Sequence, residues 1–150
     1  MTKVLVSGGF DPVHIGHVRL FKEAKALGDH LIVLANNDYW LKKKKGFVFM
    51  HQDERKAVLE AMRWVDEVQI TTHPENPTDM SICADLKRIK PDIFANGGDR
   101  DKKDANTSSS SLNPEQKLCQ ELGIKMVFSV GGEKAQSSSE LVRRAKENKS

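Results

Sequence analysis

The 150-residue chain is 38% hydrophobic and 30% charged, with a formal net charge of +3. That is enough apolar material for one domain with its own core, and too mild a charge for a dedicated nucleic-acid binder. Cys83 and Cys119 stand far apart outside any Cys-x-x-Cys context, so they read as reduced structural thiols of a cytoplasmic protein; no signal peptide is recognised, and no apolar run approaches the length that crosses a bilayer.

In chain order, apolar β-like runs at 3–7, 30–36, 67–70, 92–95 and 124–130 alternate with helical patterns. This predicts an α/β fold over residues 1–150, a Rossmann-like three-layer sandwich around a five-stranded parallel sheet. The first strand empties into Ser7-Gly8-Gly9-Phe10-Asp11-Pro12-Val13-His14-Ile15-Gly16-His17, and a helical pattern with Leu20, Phe21, Ala24 and Leu27 on one face follows. Gly28 is placed to end that helix in the left-handed conformation. A strand, turn and helix start is an anion site, because the first N–H groups of a helix are unpaired and its dipole is positive there. Gly8, Gly9 and Gly16 let the backbone approach a ligand, while His14 and His17, three apart, project to one side and can both donate to a phosphoryl group.

The second strand is apolar throughout, as a central strand should be, and ends in Asn36-Asn37-Asp38 at the edge where open α/β sheets bind ligands. Residues 39–51 read as a loop carrying Lys42-Lys43-Lys44-Lys45, a solvated charge run or the source of one lysine that reaches over a triphosphate. A helix is expected over 52–64 with Val58, Leu59 and Met62 inward. The Pro-containing loop 71–79 holds His73, solvent-exposed or touching a substrate, and a short helix with Ile82, Leu86 and Ile89 on one face stops at Pro91. The fourth strand runs into Asn96-Gly97-Gly98-Asp99, and the Ser-rich stretch at about 101–112 reads as a flexible lid or insertion. A helix capped near Asn113 and ended by Gly123 precedes the fifth strand, after which Ser137 and Glu140 have capping-box spacing, so a helix starts at Ser137, Ser138 and Ser139.

The string Gly-Gly-Phe-Asp-Pro-Val-His-Ile-Gly-His, directly after the first strand, resembles the His-x-Gly-His signature of the nucleotidyltransferase superfamily, which includes the glycerol-3-phosphate, choline-phosphate and ethanolamine-phosphate cytidylyltransferases. The segment Arg63-Trp64-Val65-Asp66-Glu67-Val68 resembles their Arg-Tyr-Val-Asp-x-Val, Gly97-Gly98-Asp99 their Gly-x-Asp, and Lys134 with Ser137 to Ser139 their basic residue and serine-bearing helix start. The resemblance implies transfer of a nucleoside monophosphate, with pyrophosphate released, from CTP (slightly favoured) or ATP to a small phosphorylated alcohol or sugar. It implies catalytic roles for His14, His17, Lys44 or Lys45, and Arg63. Nucleotide contacts fall to Gly8, Gly9, Phe10, Asp11, Gly16, Gly97, Asp99, Lys134 and the three serines. Asp38 and His73 are assigned to the acceptor side, Asp38 orienting the Mg²⁺ that accompanies a triphosphate. Such relatives are often homodimers. The same residues also suit a non-catalytic nucleotide-binding module, whereas RNA binding lacks the aromatics that single-strand platforms interleave with basic residues.

Overall fold

Five strands of four to six residues, each followed or preceded by a helix, arrange themselves as the alternation demands. The computed structural model describes residues 1–97 and 112–131. Its elements are β1 (Lys3–Gly8), α1 (Ile15–Lys25), β2 (His30–Ala35), α2 (Asp38–Lys45), α3 (Gln52–Glu60), β3 (Glu67–Ile70), α4 (Cys83–Ile89), β4 (Ile93–Gly97), α5 (Leu112–Leu122) and β5 (Lys125–Val130). All pairings are parallel and the strand order is β3-β2-β1-β4-β5. The chain therefore leaves β1 toward β2 and β3, then crosses back to β4 and β5. The reversal beside β1 is where such sheets open a crevice at the carboxyl ends of their strands.

Alternation along the strands divides the core in two. Val4, Val6, Leu31, Val33, Ala35 and Ala95 pack with Leu20, Phe21 and Ala24 of α1 and Leu59 of α3. Leu5, Ile32, Leu34 and Phe94 pack on the other face with Ile82 and Leu86 of α4 and Leu118 and Cys119 of α5. Both cysteines are free thiols, and burial pushes Cys119 up to about 12, so it behaves as a small core hydrophobe. Among the described residues no helix is long and apolar enough to cross a membrane.

The structure corrects four local expectations. Residues 38–45 are helix rather than loop: Asn37 caps it by accepting from Trp40 N–H at 3.0 Å, Leu41 anchors it in the interior, and Gly46 ends it at φ +83°. Helix α3 stops at Glu60, four residues short of Trp64, because the chain tightens into successive turns from Ala61 to Val65 that bring Met62, Trp64 and Val65 against the core. Leu27 and Val58, expected inward, are 38% and 37% exposed. Gly28 is required for close packing, not for a left-handed turn, since a Cβ there would lie 2.8 Å from the Thr2 carbonyl oxygen. Of the expected insertion at about 101–112, Leu112 opens α5 and the rest lies outside the described residues, as does the serine-bearing start at Ser137.

Candidate active site

The turn between β1 and α1 is built from inside out. Phe10 takes φ +52° and drives its ring into the core, 4.9 Å from the His17 ring and 5.5 Å from Phe21, both edge-on. A Cβ on Gly8 would crowd that ring at 3.1 Å and one on Gly9 would meet Leu41 Cδ2 at 2.9 Å, so a side chain at either position requires its neighbour to shift. Phe10 thus supports the turn from beneath instead of facing a ligand. Asp11, 2% exposed, accepts from Phe49 N–H at 2.7 Å and Met50 N–H at 2.6 Å, so its carboxylate ties the α2–α3 connection to the turn. Both oxygens are used in this way.

His14 and His17 form a reciprocal cap. His14 is the N-cap of α1, its Nδ1 accepting from Gly16 N–H at 3.1 Å, while His17 Nδ1 accepts from His14 N–H at 3.1 Å. This is the capping-box geometry with imidazoles in place of the usual serine and glutamate. The rings stack with centroids 3.9 Å apart and planes 25° from parallel. With Nδ1 an acceptor on both, a neutral ring at either position carries its hydrogen on Nε2. A Cβ on Gly16 would lie 2.9 Å from His14 Cε1, so glycine lets the His14 ring lie over the first turn.

Arg55, which the sequence reading passed over, holds this apparatus in place. Its side chain has no exposed surface; Nη1 donates to the carbonyl oxygens of Gly9 at 2.8 Å and Asn36 at 2.6 Å, Nε to Met50 at 2.9 Å, and Nη2 to Asp38 Oδ1 at 2.7 Å. One planar fork therefore joins the glycine turn, the end of β2, the start of α2 and the approach to α3, a task suited to guanidinium geometry. The signal was present in the sequence: Arg55 lies one helical turn before Leu59 on the buried face of α3, but Asp53-Glu54-Arg55-Lys56 looks like a solvated run.

Other sequence candidates separate. Lys45 is half-buried on the last turn of α2, four residues beyond Leu41 and so on the face that packs under Gly9, whereas Lys44 is exposed. Gly97 ends β4, paired with Val130 after a register shift. Arg63 is not brought to the histidines: it follows α3 at the amino edge, where Asp66 N–H bonds Leu31 and Glu67 pairs with Ile32, and its guanidinium lies 5.7 Å from the Trp64 ring. Helices of a parallel sheet run against its strands, so the end of α3 falls at the edge opposite the glycine turn. His73 is buried rather than solvent-exposed, bonded through Nδ1 to Thr71 Oγ1 and through Nε2 to the Ser81 carbonyl, both at 2.8 Å, so it braces its loop. Beside it the Ser81 hydroxyl holds the Asp79 carboxyl below the ordinary range. Asp38 does not fit a metal-orienting role, since Arg55 occupies one oxygen and His51 Nδ1 stands 3.4 Å from the other. Asp99, Lys134, Ser137, Ser138 and Ser139 lie outside the described residues.

A parallel sheet with a histidine-capped, glycine-lined turn at its switch point defines a doubly wound α/β protein, whose ligand crevice opens at the carboxyl ends of the strands. Residues 5–145 match the cytidylyltransferase-like family model, and the chain belongs to that family. It is 44% identical over 100 residues to the FAD synthase of Pyrococcus horikoshii, covering 66% of this chain and 64% of that protein, so it spans slightly less than two thirds of that relative. It is 41% identical over 68 residues to the glycerol-3-phosphate cytidylyltransferase of Bacillus subtilis, 45% of this chain and 53% of that one. It is also 34% identical over 147 residues to the bifunctional protein HldE of Aliarcobacter butzleri, 97% of this chain and 27% of that one. The lipopolysaccharide core biosynthesis protein of Thermoplasma volcanium shares the fold, with a TM-score of 0.63 at 24% identity over 86% of this chain and 94% of that chain.

Proposed function

We propose that this chain is a nucleotidyltransferase that moves a nucleoside monophosphate from a nucleoside triphosphate to the phosphate of a small phosphorylated alcohol or sugar. A phosphate oxygen of the acceptor forms a bond to the α-phosphorus while the bond from that phosphorus to the α–β bridging oxygen breaks, and pyrophosphate leaves. A phosphate monoester is already an anionic attacker, so the protein supplies alignment and charge stabilisation and no covalent nucleophile. The observation that carries the reading is the His14–His17 pair, whose Nδ1 atoms are both committed to backbone N–H groups and whose Nε2–H groups therefore serve as fixed donors at a helix start.

Lys45 is the lysine assigned to the departing pyrophosphate, because its helix packs under Gly9 and its side chain is half-buried. Gly97, Asp99, Lys134 and the three serines are assigned to the nucleoside side, beyond β4 and β5. Magnesium enters with the triphosphate as part of the substrate. For the base, the FAD synthase relatives favour ATP, since the half of FAD that nucleotidyl transfer adds to a flavin phosphate is adenylate. CTP remains a second reading on the strength of Arg63-Trp64-Val65-Asp66-Glu67-Val68 and the glycerol-3-phosphate cytidylyltransferase likeness.

The test is pyrophosphate release by the full chain with ATP or CTP and a panel of phosphorylated acceptors, with thermal shifts recorded for each nucleotide. Turnover with ATP in preference to CTP is expected, and a nucleotide at a hundred times its Kd should stabilise the chain by about 2.7 kcal/mol. Stabilisation without pyrophosphate from any acceptor would make the chain a nucleotide-binding module instead.

A further inference from the structure

Three polar side chains share the α4 and α5 face of the sheet at its carboxyl edge, Ser7 level with Asn96 by the strand register and Asn36 two residues further out, since Ser7 pairs with Leu34. Ser7, Asn36 and Asn96 follow Leu5, Leu34 and Phe94 by two residues on β1, β2 and β4, and those three apolar residues belong to the α4 and α5 half of the core. The alternation holds through Asn36, which continues the ladder by donating its N–H to the Gly8 carbonyl at 2.8 Å. Asn96 Nδ2 reaches the Phe94 carbonyl at 3.4 Å. Asn36 is different: it is 4% exposed, and its Oδ1 is buried with no hydrogen-bond partner among the described residues. Buried acceptors in native proteins are satisfied as a rule, and an exception at a ligand edge calls for a donor from outside the chain. Its position is fixed, because the Arg55 Nη1 that binds the Asn36 carbonyl also binds the Gly9 carbonyl.

We infer that Asn36 reads a hydroxyl group of the phosphorylated acceptor, which makes the chain selective for polyol and sugar phosphates over phosphate monoesters that offer no donor. This rests on the nucleotidyl-transfer reading above. An amide oxygen only accepts, so its partner must bring an O–H or N–H, which the phosphates of an ionised triphosphate do not supply. The side of the sheet supports the acceptor as the source. β4, whose Gly97 is assigned to the nucleoside, lies on one side of β1, and Asn36 follows β2 on the other; in-line displacement likewise puts attacking and leaving oxygens on opposite sides of the α-phosphorus. The χ2 angle of asparagine is soft, so Oδ1 turns toward the edge without any change of backbone. A site that accepts a hydrogen bond from a substrate hydroxyl rejects the analogue lacking it far more strongly than an apolar pocket does.

The experiment measures initial rates of pyrophosphate release by the full chain, with ATP and with CTP. Glycerol 3-phosphate, ribose 5-phosphate and FMN are compared with n-propyl phosphate and choline phosphate. Only hydroxyl-bearing acceptors are expected to turn over. Asn36→Ala and Asn36→Leu should raise the KM for the accepted polyol phosphate at least tenfold, leave the triphosphate KM within twofold, and shrink the preference over n-propyl phosphate. The melting temperature of Asn36→Leu should not fall, because the oxygen removed has no partner among the described residues. An unchanged acceptor KM in either variant, a loss falling on the triphosphate KM, or a wild type that prefers choline or n-propyl phosphate would overturn the assignment. Pyrophosphate from no acceptor at all would instead overturn the transfer reading, and the role of Asn36 with it.

Discussion

Arg55 places a permanently charged group where water does not reach, and every one of its bonds goes to something the site needs. Its charge is compensated by Asp38, whose own side chain is 29% exposed, and three further N–H donors go to carbonyl oxygens. Removing one partner of such a pair leaves the others without donors, which typically costs about 3–5 kcal/mol. Arg55→Ala should therefore lower the melting temperature by roughly 10 °C. Arg55→Lys should recover part of the stability and little of the pyrophosphate release, since an ammonium cannot span Gly9, Asn36 and Asp38 in one plane. Thermal unfolding of both variants checks this, and a shift of under about 2 °C in Arg55→Ala would contradict it. Sequence alone identified the glycines and histidines because their residue types are unusual in that order. For Asp11 and Asp38 it offered ligand contacts because a carboxylate near a phosphate turn looks like a ligand, and only coordinates reveal that backbone N–H groups bond the first and a guanidinium the second.

At the scale of elements, the histidines do two jobs that substitution can separate. His17 is the third residue of α1 and accepts from the N-cap amide, so His17→Ala removes a helix cap as well as the phosphate donor of the proposed reaction. Loss of a cap costs about 1 kcal/mol, and loss of one fixed donor to a transferring phosphoryl group about 3 kcal/mol, or a hundredfold or more in rate. Glutamine at this position can restore the cap, because its side-chain oxygen accepts in the capping-box manner, but it does not restore the imidazole Nε2–H. The expectation is that His17→Gln melts within a degree or two of the wild type, His17→Ala melts a few degrees lower, and both lose pyrophosphate release alike. Equal rates in wild type and His17→Gln would remove His17 from the chemistry. Helix α2 was less legible. Asn37, Asp38 and Gly46 are ordinary start and stop residues, yet at the end of a buried strand the first two read equally well as ligand contacts, and four consecutive lysines hid the single buried Leu41.

For the molecule as a whole, five strands and their parallel sense were legible because apolar runs separated by helical patterns admit few other packings. The distribution of the site between the two edges followed from topology alone and was still missed for Arg63, since a return helix that starts at the carboxyl edge must finish at the amino edge. That amino edge has its own electrostatics, and they yield a whole-molecule prediction. Lys25 at the end of α1 and the Leu31 N–H of β2 both bond Asp66, immediately before β3. Burial pushes the Asp66 carboxyl up, but the Leu31 N–H and the Lys25 ammonium together outweigh it and hold it below the usual 3.8. Glu67 is held below 4.5 mainly by Gln69, then by His30. Carboxylates depressed in the folded state contribute stability that is fully present above their unfolded values and is lost as pH falls through the folded ones. The melting temperature should therefore be level from pH 7 to about 5 and decline from about pH 4.5 downward. Asp66→Asn keeps the shape and removes the charge, so it should melt lower than the wild type at pH 7 and fall less steeply in acid, the two curves converging near pH 3. Curves that stay parallel across that range would mean that Asp66 adds nothing through its charge, and that the amino edge is joined by the backbone ladder and by Trp64 packing on the α1 side of the core.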